Sequence, residues 1–120
     1  MNHRAIKQAA IAGTVLQLAM VLVGHSNPAV ARMFAVGGMG ISLVAGVIYA
    51  HLAGKDSMRG AARGGAEAGG ICALIGIIVS YALGDVTALV LVAGTLSSVV
   101  TGALGGWIGN LTNSRSHSPA

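Results

Sequence analysis

Apolar residues run almost unbroken through four stretches of the chain, from about Ala5 to Val23, Ala29 to Leu52, Ala66 to Leu83 and Val86 to Leu111. Each is close to the ~20 residues that carry a helix across ~30 Å of hydrocarbon. None alternates apolar with polar positions, which is the mark of a barrel strand. The links are short: Gly24-His25-Ser26-Asn27-Pro28, the polar segment from Gly54 to Arg63, and Gly84-Asp85. Asn27-Pro28 reads as a turn and a helix-starting proline, and Asp85 as a cap for the fourth helix. Such short links make successive helices antiparallel. The pattern therefore predicts an all-α membrane protein, four transmembrane helices in a compact antiparallel bundle over residues 1–111. A polar, mobile cytoplasmic tail is expected over 112–120.

Inside these stretches small residues return every fourth position. The second carries Gly38, Ser42, Gly46, Ala50 and Gly54. The third carries Gly60, Gly64, Ala68, Cys72, Gly76, Ser80 and Gly84, and the fourth Gly94, Ser98, Gly102 and Gly106. At ~100° per residue four steps nearly close the circle, so each ladder is a shallow groove on one helix face. In lipid such a groove admits a second helix at close range. Helix packing is accordingly expected at Gly38, Ser42, Gly46, Gly64, Ala68, Cys72, Gly76, Gly94, Ser98, Gly102 and Gly106. Three ladders exceed what one compact bundle must use, so spare grooves are expected to receive partners, copies of the chain included.

Composition strengthens the membrane reading. Charged residues make up 8% of the chain, against roughly 25% in soluble domains; that is too little polar sequence to coat a soluble core. Seven basic residues against three acidic give a formal charge of +4. They are too sparse for a nucleic-acid surface and are not interleaved with aromatics. Their placement is informative instead. Arg4, Lys7, Lys55, Arg59, Arg63 and Arg115 all fall on one side of a four-span layout, leaving Arg32 near the other. The positive-inside bias then puts both termini in the cytoplasm and the chain in the cell's inner membrane, with the lipid bilayer as its first partner. Small multidrug resistance exporters and fluoride channels are similar in length and span number and often assemble as inverted dimers. This charge bias disfavours inversion, and the chain lacks both the exporters' early-helix carboxylate and the channels' Thr/Phe/Ser-rich motif.

The N-terminus has a competing reading. His3-Arg4-Ala5-Ile6-Lys7 resembles a signal-peptide head, with Ala29-Val30-Ala31 as a cleavage site. The apolar stretch is long for that role, and cleavage would open straight into another span, so the first helix is expected to be retained. Sliding the chain on itself by 56 residues aligns stretch one with three and two with four, pairing Gly13 with Gly69, Gly38 with Gly94, Ser42 with Ser98 and Gly46 with Gly102. Two helical hairpins repeated in parallel fit this match, and so does the shared physics of any two hairpins.

Few residues carry chemistry. Gln17 is the strongly polar side chain nearest the middle of a span, so it must bond across helices or line a polar path, and the linking role is the stronger expectation. Arg63 and Glu67, four apart, are expected to form an interfacial, partly solvated pair. His51 reads as an interfacial histidine near Lys55 and Asp56, and His25 as a turn residue. Tyr49 and Trp107 at one interface and Tyr81 at the other fit aromatic anchoring. One cysteine supports neither a disulfide nor a multi-cysteine metal site. Catalytic, metal and cofactor motifs are missing, so no enzyme activity and no cofactor are expected. Two functions remain. One is a non-catalytic accessory or structural subunit of a homo- or hetero-oligomeric membrane assembly. The other is an oligomeric channel or facilitator for an ion or small neutral solute, lined by glycine carbonyls with Gln17, Ser42, Thr95, Ser98 and Thr101.

Overall fold

Four helices account for nearly all of the computed structural model, which describes residues 3–27, 29, 33–54, 57–84 and 86–116. They are α1 (His3–Ser26), α2 (Phe34–Ala53), α3 (Met58–Ala82) and α4 (Ala88–Ser116). Each is long and apolar enough to cross a membrane. Pro28, Val30, Ala31, Arg32, Lys55, Asp56 and Asp85, to which the sequence assigns turn, cleavage, charge-bias or capping roles, lie outside the described residues.

The boundaries depart from the hydropathy reading where helix and apolar run are different things. Helix α3 begins at Met58, well before the apolar run, because the Ser57 hydroxyl accepts the Gly60 N–H at 3.0 Å and caps it. Arg59 and Arg63 therefore ride on a helix rather than in a loop. Helix α4 runs on to Ser116, five residues past Leu111. No glycine or proline stops it there, and the Thr112 hydroxyl donates back to Ile108 O and Gly109 O. The first part of the expected tail is thus helical. The start of α4 is capped by Thr87, whose Oγ1 accepts the Val90 N–H at 3.4 Å. Gly54 and Gly84, read as rungs of the ladders, instead end helices with φ of +79° and +81°. A side chain is strained in that conformation.

Among the described residues every helix pair except α1 with α4 makes a substantial interface; the largest join α4 to α3 and to α2. The centre of the fold is backbone against backbone. A Cβ placed on Gly102 would sit 3.0 Å from Gly69 Cα and 3.2 Å from the Gly65 carbonyl carbon. One on Gly69 would meet Gly102 Cα at 2.8 Å, Ser42 O at 3.0 Å and Ser98 O at 3.2 Å. One on Gly46 would meet the Gly106 nitrogen at 2.7 Å and lies against the Gly102 carbonyl. Three chains of peptide groups meet around Gly102, with no side chain between them. Ser42, Gly46 and Ala50 of α2, Gly64, Ala68, Cys72, Gly76 and Ser80 of α3, and Ser98, Gly102 and Gly106 of α4 are all buried, while Gly38, Gly60 and Gly94 are half-buried. The grooves that the sequence left as spare are filled by neighbouring helices of the same chain. Large aliphatic residues, among them Leu22, Val36, Leu89, Leu96 and Val100, point outward.

Candidate functional site

Gln17 sits on α1 where that helix meets α2 and α3, and it is only 1% exposed. Its Nε2 donates to the Gly38 carbonyl at 3.1 Å and lies 4.0 Å from Cys72 Sγ. The approach depends on small residues on either side. A Cβ on Gly13 would come within 2.8 Å of Cys72 Sγ and 3.1 Å of the Ala45 methyl, and one on Gly76 within 2.8 Å of Gln17 Cβ. The amide thus ties α1 to α2 across a glycine-cleared gap.

The other hydroxyls on the apolar helices are mostly occupied. Ser42 Oγ and Cys72 Sγ both donate to the Gly69 carbonyl at 3.2 Å. Thr95 donates to Leu91 O at 2.7 Å, and Thr101 to Ser97 O and Ser98 O at 3.2 Å. Both threonine hydroxyls thus donate to carbonyls of their own helix.

A cavity of about 240 Å³ lies beside Gln17. Gly38, Gly76, Ser80, Gly94 and Ser98 line it with Gln17, among aliphatic walls supplied by Met20, Ile77 and Val90. All four helices contribute, and since α1 and α4 share no substantial interface among the described residues the cavity fills the seam between them. Among the described residues the lining carries no ionisable side chain. Of the ladder positions proposed from sequence, Gly38, Gly76, Gly94 and Ser98 meet here, whereas Gly46, Gly64, Ala68, Gly102 and Gly106 belong to the closed packing elsewhere.

The remaining charged and polar positions lie apart from it. Arg63 Nε is 3.9 Å from Glu67 Oε1, with side chains 73% and 40% exposed, so the pair is solvated and weak. His51 Nε2 is 3.5 Å from Thr112 Oγ1. Tyr81 and Trp107 are exposed. Tyr49, expected as an interfacial anchor, is fully buried against Gly64, which has no side chain to hold the ring away. Asn110 was missed altogether. It is buried and its Nδ2 lies 3.0 Å from Met58 Sδ. The signal was present, for Asn110 falls four residues after Gly106 and so continues the ladder of α4. Among the described residues no three His, Cys, Asp or Glu side chains gather where a metal ion would sit. No family model matches the chain, and comparisons with curated proteins and with solved structures return no match.

Proposed function

We propose that the chain is a non-catalytic, multi-pass inner-membrane protein, a small accessory or structural subunit of a larger membrane assembly. The observation that carries this reading is the three-way backbone contact around Gly102, which spends the interior on holding helices together. Pairs of contacts support an antiparallel order of successive helices. Gly13 meets Cys72 and Gln17 meets Gly76, both numbers rising together along α1 and α3. Gly106 meets Ala61 and Gly69 meets Ser98, one number rising as the other falls along α3 and α4. That order gathers Arg4, Lys7, Arg59, Arg63 and the end of α4 at one end, in keeping with both termini in the cytoplasm.

Because the ladders are used within the chain, partners meet its outward aliphatic faces. Helix α4 offers the most: 17% of its apolar window is buried, against 44% for α3. Packing across such a face in lipid rests on shape and van der Waals contact. A path through a single copy is disfavoured by the peptide groups that close the axis at Gly46, Gly65, Gly69 and Gly102. Native mass spectrometry of protein extracted gently from its host membrane tests the reading. Stoichiometric complexes with other membrane subunits, or a discrete homo-oligomer that passes no solute in liposomes, are expected. A monomer under every extraction condition would overturn it, and solute flux through the purified protein alone would favour the channel reading instead.

A further inference from the structure

We propose that the seam cavity between α1 and α4 is a binding site for a small uncharged amphiphile, an alkyl body with one hydroxyl or carbonyl head, taken up sideways from the membrane. This goes beyond a subunit role and stands whether or not the chain assembles with others.

The head is assigned by Ser80. This residue of α3 is 2% exposed and lines the cavity, and its Oγ has no hydrogen-bond partner among the described residues. Hydroxyls in apolar helices ordinarily bond back to a carbonyl of the preceding turn, as Thr95 and Thr101 do here. A buried hydroxyl left unmade carries a desolvation penalty, which a ligand oxygen accepting its proton would remove. Ser98 and Gln17 add polar atoms on facing helices of the same space. The body is assigned by the walls. Met20, Ile77 and Val90 are aliphatic, and no described lining residue carries a charge to compensate an ion, so a carboxylate or ammonium would enter at a desolvation cost that an uncharged head avoids.

Size and access follow from the same geometry. A cavity of ~150 Å³ holds benzene, so 240 Å³ takes about ten non-hydrogen atoms by proportion. The lack of a substantial α1–α4 interface among the described residues gives the route. A ligand dissolved among lipid tails reaches the seam laterally, while the closed packing at Gly46, Gly65 and Gly102 blocks its continuation along the axis.

The test is photolabelling in phosphatidylcholine liposomes with an octan-1-ol that carries a diazirine, read by peptide mass spectrometry. The expected result is saturable labelling at lining residues such as Ile77 and Val90. Excess octan-1-ol should displace it, octane much less, and octanoate not at all. Ser80→Ala, which removes the hydroxyl and keeps the space, should weaken labelling at least about threefold. Ala93→Phe, at an exposed lining position, should abolish it by filling the seam. Helical circular dichroism and a single elution peak verify that each variant folds. Labelling that never saturates and spreads over outward residues such as Leu22 and Val36 would overturn the proposal. So would displacement by octane as strong as by octanol, or cavity labelling undiminished in both folded variants.

Discussion

Two glycines of this chain differ by what a single methyl group would meet. Around Gly40 there is open space, with nothing within 4 Å of an added Cβ. Gly40→Ala should therefore stabilise the protein by about 0.5–1 kcal/mol, the usual penalty of glycine inside a helix. At Gly102 the same methyl runs into the backbones of Gly65 and Gly69, which have no side chain to rotate away. Gly102→Ala should cost upwards of about 3 kcal/mol, in the range of overpacked cores and beyond. Reversible unfolding of the two variants in mixed micelles measures both, and equal effects would refute the contrast. Much of this was legible from spacing, since Ser42, Gly46, Ala68 and Ser98 lie on ladder positions and are buried. Tyr49 and Asn110 were not, because a search for small residues skips large ones. Yet a groove made by Gly64 is what allows a full tyrosine ring inside.

At the level of a helix, hydropathy and helicity report different physics. The apolar run reports transfer into lipid, whereas the ends of a helix are set by capping and by chain breakers. Helix α3 shows the gap: its first two turns hold Arg59 and Arg63, polar enough to be read as a loop, and Ser57 starts it regardless. Ser57→Ala should cost about 1 kcal/mol, and the amide of Gly60, which now donates to the serine oxygen, should exchange faster with solvent. Unchanged exchange at Gly60 would mean the turn is held by packing alone. The end of α4 teaches the converse. A polar tail was expected after Leu111, but without a breaker the helix has no reason to stop there.

For the molecule as a whole, the number of long apolar helices could be read from the chain, but not which groove meets which. A glycine ladder has no side-chain shape with which to choose a partner, so the matching is decided only when all four helices are present. The 56-residue offset illustrates this. It would carry the α2–α3 interface onto α4 and α1, and that pair has no comparable interface among the described residues. The two hairpins are therefore unequal in their contacts, and the inequality opens the seam. The outcome is α4 packed broadly on α2 and α3, with α1 seated on the same two helices. Under α1 lies the chain's single cysteine, with Gly13 and Gln17 covering its sulfur. The thiol beneath α1 is thus a chemical clock: the rate at which N-ethylmaleimide modifies the unaltered protein should count how often α1 leaves its seat. Gly13→Leu, which pushes that helix off, should speed the reaction more than about tenfold, each 1.4 kcal/mol of weakened docking giving one decade. A rate unmoved by that change would mean the thiol is reached by some other opening.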